Sequence, residues 1–114
     1  MPFISLGIKQ IGFYLYVEVI ESDTKIKYVS LKRITAFRHK TLVCLTMDEF
    51  EHLKKSVFPE SFTNGDRKLC FNYCITLEKL KSTQEVKVSF DEMKKLQSVD
   101  VEEIIKSGVG YFDE

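Results

Sequence analysis

Residues 25–55 read KIKYVSLKRITAFRHKTLVCLTMDEFEHLKK, and the way this stretch changes character along its length decides the fold. Lys25 to Ile34 has β character, with Ile26, Tyr28, Val29 and Ile34 among its residues. Phe37-Arg38-His39-Lys40 interrupts it as an exposed hairpin tip, and Thr41 to Leu45 is the returning strand. Thr46-Met47-Asp48-Glu49 then starts a helix. The Thr46 hydroxyl accepts from the backbone N–H three residues on, while the Glu49 carboxylate reaches back to the Thr46 N–H. Phe50, Leu53 and Val57 give this helix one apolar stripe, and Pro59 closes it because the residue before a proline avoids the helical region.

A shorter version of the same unit returns 43 positions later. Thr46-Met47-Asp48-Glu49-Phe50 falls on Ser89-Phe90-Asp91-Glu92-Met93, Leu53 on Leu96, and Val43 and Leu45 on Val86 and Val88. Upstream, Lys25-Ile26 meets Lys68-Leu69, and Tyr28 meets Phe71. Agreement in cap, helix anchors and strand alternation together reads as a structural repeat. Two copies are too few for a solenoid. The expected fold is therefore α+β: a single domain over 1–114 with antiparallel sheets, a helix after each half and a pseudo-twofold internal repeat, the halves being about 1–60 and 66–108.

Working outward, Phe3 to Gln10 reads as a first strand and Gly12 as a bend. The run from Phe13 to Ile20 alternates, with Phe13, Leu15, Val17 and Val19 on a core face and Tyr14, Tyr16, Glu18 and Ile20 opposite. Glu21-Ser22-Asp23-Thr24 is a turn cluster, and Ser61 to Asp66, with Asn64-Gly65, is linker-like. Strands are expected at Lys68–Leu77 and Gln84–Val88, then a second capping box at Ser89 and Glu92 with Met93 and Leu96 as anchors. Asp100 caps a last helical segment stopped by Gly108, and the tail from Gly110 is frayed or docked by its two rings.

Seventeen cations balance seventeen anions, so any grip on a polyanion must come from segregated charge. Three cysteines without framework spacing point to reduced thiols in a nuclear or cytoplasmic, intracellular setting. The first twenty residues lack the basic start and continuous apolar core of a signal peptide, and no stretch is long enough for a membrane span. No membrane partner is expected.

Charge is segregated in the opening stretch, which has no acidic residue between Lys25 and Met47. Lys25, Lys27, Lys32, Arg33, Arg38 and Lys40 are interleaved with Tyr28 and Phe37, and Tyr14 and Tyr16 extend the set. Single-stranded nucleic acid is held by such a combination, cations along the backbone and rings on which bases stack. The bland reading is a solvated strand face whose long cations cover apolar neighbours. Cys44, Cys70, Cys74, His39 and His52 lack the paired short spacings of zinc sites, and cysteines flanked by Leu69, Phe71 and Ile75 behave as small core hydrophobes. Asp48/Glu49 and Asp91/Glu92 are accounted for by helix starts, and the five glycines form no phosphate loop. No metal, cofactor or catalytic residue is expected.

Cys44-Leu45-Thr46-Met47-Asp48-Glu49-Phe50-Glu51-His52-Leu53 resembles the strand-to-helix junction of the positive cofactor 4 (p15) transcriptional coactivators, which bind single-stranded DNA. Leu15-Tyr16-Val17-Glu18-Val19 resembles their acid-containing strand, and Tyr28-Val29-Ser30-Leu31-Lys32 another. The resemblance covers roughly 13–57; Phe50 stands where the family usually has Trp, and Arg38-His39-Lys40-Thr41 replaces its Gly-rich basic turn. It implies paired four-stranded sheets that cradle a DNA strand, with the second subunit fused into the chain and cations at Lys27, Lys32, Arg33, Arg38 and Lys40. On the 43-residue shift Cys74, Ile75 and Thr76 stand at Leu31, Lys32 and Arg33, so the second copy lacks those cations. The expected function is non-enzymatic binding of single-stranded DNA or RNA by a pseudo-dimeric monomer or a homodimer, as a transcription or replication accessory factor. The alternative is a protein-interaction module, an adaptor or inhibitor on the same scaffold.

Overall fold

The computed structural model describes residues 3–57, 60–71, 74–79 and 81–107. Strands β1 (Phe3–Gly12), β2 (Leu15–Ser22), β3 (Lys27–Ile34) and β4 (His39–Thr46) form one antiparallel sheet in chain order, followed by helix α1 (Met47–Lys55). The plan recurs as β5 (Glu60–Asn64), β6 (Arg67–Phe71), β7 (Cys74–Lys79) and β8 (Ser82–Lys87), followed by α2 (Phe90–Gln97) and α3 (Val101–Ser107). The expected α+β class and pseudo-twofold plan are therefore present.

Alternation decides which face each strand buries. Val17 pairs with Leu31 and Leu31 with Val43; Val19 pairs with Val29 and Val29 with Leu45. These rows are buried on one face, against Phe50 and Leu53 of α1. In the second sheet Phe71, Ile75 and Val86 form the matching row, and Met93 and Leu96 of α2 belong to the same buried cluster. All join one apolar core. The halves also meet through their helices: α1 packs on β5 as well as on β3 and β4, α2 packs on β1, the two helices touch, and β4 lies beside β8.

Both capping boxes close. Glu49 N donates to Thr46 Oγ1 at 3.2 Å while Thr46 N donates to Glu49 Oε1 at 2.9 Å. At the second helix the matching bonds join Glu92 N to Ser89 Oγ at 3.0 Å and Ser89 N to Glu92 Oε1 at 3.1 Å. Asp100 Oδ1 accepts from the Glu102 and Glu103 N–H groups at the start of α3. That helix lies on β1 and β2. It can do so because Gly7, at a register irregularity, has no side chain: a β-carbon there would stand 2.4 Å from the Ile104 carbonyl oxygen.

Several expectations are corrected. Phe13 is not on the core face; it occupies the β1–β2 turn and is 76% exposed. Val57 lies beyond the end of α1 and is exposed, because the helix stops at Lys55 and the Ser56 N–H turns back to the Leu53 carbonyl. The linker-like 61–66 segment forms most of strand β5 and its turn, so the second sheet starts at Glu60. Lys68–Leu77 is two strands, paired through Phe71 and Ile75, and the last strand runs Ser82–Lys87. Pairing also slips the repeat by one upstream: Ile75 opposite Val86 matches Leu31 opposite Val43, so Cys74 matches Ser30. Phe71 then matches Val17, not Tyr28. Gly108, Pro59 and the tail from Gly110 lie outside the described residues.

Candidate nucleic-acid interface

The cationic stretch does not form one surface. Strand β3 separates Lys27 from Ile34 by about 23 Å at ~3.3 Å per residue. Lys25 and Lys27 therefore stand at one end of the sheet and Arg33, Arg38 and Lys40 at the other. Lys25 is exposed in the β2–β3 turn with φ 68°. Lys27 pairs with Glu21 at 3.4 Å, and the Tyr28 ring meets Phe3 edge-on at 5.9 Å. Lys32, in mid-sheet, forms an ion pair with Glu18, whose side chain is only 2% exposed. That partner was invisible in the stretch because it comes from the neighbouring strand.

Arg33, Phe37, Arg38 and Lys40 do come together, and the first turn of the sheet joins them. Gly12 pairs with Leu15, which leaves Phe13-Tyr14 as a two-residue turn. Tyr14 sits at φ 60°, a left-handed conformation that costs a bulky residue about 1–3 kcal/mol. The two tips are stitched together: Ile34 N donates to the Tyr14 carbonyl at 2.9 Å, and Arg33 Nη1 to the Phe13 carbonyl at 3.1 Å. Thr35 N donates to the Arg38 carbonyl at 2.9 Å, closing the β3–β4 tip. Phe13 and Tyr14 pack ring to ring at 4.2 Å, Tyr14 is 44% exposed, and Phe37 is 99% exposed. Beside them Arg33, Thr35, Arg38, Lys40 and Leu42 line a cleft of about 240 Å³. Among the described residues the one carboxylate within ion-pair reach of these three cations is Glu92, 3.8 Å from Arg33. The exposure of Phe13 and the strain at Tyr14 were missed by sequence reasoning; Gly12 before two rings was the available signal.

The equivalent corner involving the second sheet is built for another purpose. Its turn is Gly65-Asp66, with Gly65 at φ 64° supplying the backbone freedom that Tyr14 lacks. Lys68 stands opposite Glu78, and these two with Asp66, Lys79, Lys81 and Ser82 line a mixed-charge cleft of about 510 Å³. Next to it, Arg67 makes a buried brace. Its Nε donates to Glu49 Oε2 at 2.8 Å, and its Nη2 donates to Glu49 Oε1 at 3.0 Å and to the Cys44 carbonyl at 2.9 Å. Glu49 has no exposed side-chain surface, and its hydrogen bonds hold the Arg67 guanidinium above its already high range.

The thiols offer little chemistry. Burial pushes the Cys44 thiol up, Arg67 draws it back, Glu49 adds to the rise and Lys32 opposes it, with a net rise. A raised thiol is a poor nucleophile near neutral pH. Cys44, Cys70 and Cys74 are free, and among the described residues no three His, Cys, Asp or Glu side chains gather closely enough to hold a metal ion. Among those residues, too, no helix is long and apolar enough to cross a membrane. No protein-family model, curated protein or solved structure matches the chain.

Proposed function

We propose that the chain is a non-enzymatic single-stranded nucleic-acid-binding protein acting inside the cell, and that it grips the strand with the joined tips of its first sheet. One observation carries the reading: the exposed rings Phe13 and Tyr14, on a strained turn, are hydrogen-bonded to the hairpin tip that carries the exposed Phe37 with Arg33, Arg38 and Lys40. Bases stack on such rings for about 1–3 kcal/mol each, while cations follow the phosphates. Strained backbone of this kind clusters at functional sites. The arrangement of two four-stranded sheets, each followed by a capped helix, supports the resemblance to the coactivator family. The reading is narrower than the sequence pattern implied, since Lys27 and Lys32 are engaged by Glu21 and Glu18.

The test is titration of a fluorescent oligonucleotide at several salt concentrations. With about three phosphates neutralised, the log–log slope is expected near −2. Arg38→Glu with Lys40→Glu is expected to abolish binding and leave the circular dichroism spectrum unchanged, both side chains being exposed. Phe37→Ala is expected to weaken binding by about 5- to 150-fold, the loss of one stacked base. Absence of binding by the unaltered protein at low salt removes the reading. In that event a protein-interaction module is the next reading, favoured by exposed Phe3 and Ile4 on the edge strand β1. Such an edge recruits a partner by strand addition.

A further inference from the structure

We infer that the groove between β1 and α2 is a second phosphate-binding subsite, which takes the nucleic-acid strand as it leaves the tips; this rests on the reading proposed above. Lys9, Lys94 and Lys95 rim a cleft of about 450 Å³ whose floor is Ile11 and Val99. Both floor residues belong to the core, so the cleft has a fixed apolar base. The volume is within the range of small-ligand sites, about 300–1,000 Å³, and suits one nucleotide unit. An apolar floor below cations fits a sugar and base with a phosphate above, each lysine acting as a point charge.

The charge is available. Lys95 is engaged by Asp91 at 3.1 Å, but that pair is well exposed and such pairs are weak. Lys94 lies over the exposed Phe90 ring at 5.3 Å, and Lys9 is exposed with no carboxylate in ion-pair reach among the described residues. The groove also starts at the tips. Glu92, in the first turn of α2, pairs with Arg33, and a β-carbon on Gly12 would stand 3.2 Å from its Oε2. Lys9 is three residues back along β1, about 10 Å from that point. A strand stacked on Phe13 and Tyr14 needs one or two further nucleotides to bring a phosphate between Lys9 and Lys94.

The experiment compares salt slopes for an oligothymidylate of about 12 nucleotides, a length within known single-strand site sizes. On this longer strand the unaltered protein, with three tip and two groove contacts at ~0.7 each, is expected to show a slope of about −3.5. Lys9→Glu with Lys94→Glu is expected to make it shallower by about 1.4, back to the roughly −2 of the tips alone. Lys68→Glu with Lys81→Glu changes the net charge equally at the far corner and is expected to leave the slope unaltered. If the unaltered protein binds and the groove variant keeps its slope, the groove inference fails and the tip reading stands. Equal losses from the two charge-matched variants overturn the groove as well, because the effect is then one of overall charge. Loss on the groove variant while Arg38→Glu with Lys40→Glu still binds removes the tips, and with them the claim that the groove takes the strand as it leaves them. No binding by the unaltered protein removes both.

Discussion

Replacing Arg67 with Leu takes the guanidinium away from Glu49 and leaves a carboxylate with no exposed surface. Three of its hydrogen bonds and contacts go at once: the two to Glu49, at 2.8 and 3.0 Å, and the one that caps the Cys44 carbonyl at 2.9 Å. Among the described residues only Thr46 N at 2.9 Å and Asn64 Nδ2 at 3.5 Å still donate to the carboxylate. Removing one partner of a buried ion pair costs roughly 3–5 kcal/mol. Arg67 itself is 21% exposed, so water can partly replace it and the lower end, about 3 kcal/mol, applies. At about 4 °C per kcal/mol for a domain of this size, the melting temperature should fall by about 12 °C. Urea unfolding followed by far-ultraviolet circular dichroism measures it, because the chain has no Trp. If the cost lies in the orphaned charge, adding Glu49→Gln to Arg67→Leu should recover about 2 kcal/mol: Gln still closes the capping box but carries no charge. Arg33→Leu is the internal comparison. Its pair with Glu92 is 3.8 Å long and partly exposed, and such pairs are worth about 1 kcal/mol or less. An Arg67→Leu loss below about 1 kcal/mol, or no recovery in the double variant, would refute the argument.

Three further outcomes are expected. Gly7→Ala should cost about 1–3 kcal/mol, since its methyl meets the Ile104 carbonyl at 2.4 Å and must lift α3; hydrogen exchange should rise over Val101–Ser107 in that variant. Tyr14→Gly should raise or preserve stability by releasing the left-handed turn, yet weaken oligonucleotide binding by about 5-fold or more, so melting temperature and affinity move apart. Alkylation of Cys44 by iodoacetamide, followed by mass spectrometry, should reach half its limiting rate above the ordinary thiol range. The unfolded chain ionises this thiol more readily than the folded one, so this group's contribution to stability is complete below the ordinary thiol pKa and declines as pH rises through the raised value.

What could be read in the sequence was whatever depends on neighbours within one turn or one strand. Thr46 with Glu49 and Ser89 with Glu92 carry their own geometry, and both boxes close as expected. Val43 and Leu45, with Val86 and Val88, carry their alternation and are buried. The Lys68–Leu77 run was legible as β structure but not as two strands, for β6 and β7 pair antiparallel while the sequence between them holds neither glycine nor proline. The upstream half of the repeat slipped for a related reason. Tyr28 and Phe71 are alike in type, yet they belong to different strands of their sheets, and only pairing separates them. The site was half legible. Arg33, Arg38 and Lys40 are local to one hairpin and stay together, with Phe37 exposed on the same tip. The acids that engage Lys27, Lys32 and Arg33 come from β2 and α2, distant in sequence. A stretch free of acidic residues says nothing about which carboxylates fold against it.

The two copies of the capping glutamate show how a duplicated body can support a one-sided function. Each glutamate starts a helix and each faces an arginine from the opposite half, Arg67 for Glu49 and Arg33 for Glu92. At Glu49 the turn beside it is Gly65-Asp66, small and unstrained, and the side chains close over a buried pair. At Glu92 the turn is Phe13-Tyr14, the rings point outward, and the arginine stays partly in solvent. A half-buried guanidinium hydrogen-bonded on two edges is not free to take a phosphate, whereas a long, partly exposed pair can give up its arginine to one. The same two-residue motif therefore holds the halves together at one corner and leaves charge available at the other. A binder built this way should take one strand per chain, and a measured stoichiometry of two would mean that the Gly65-Asp66 corner also binds, against the charge and ring content it presents.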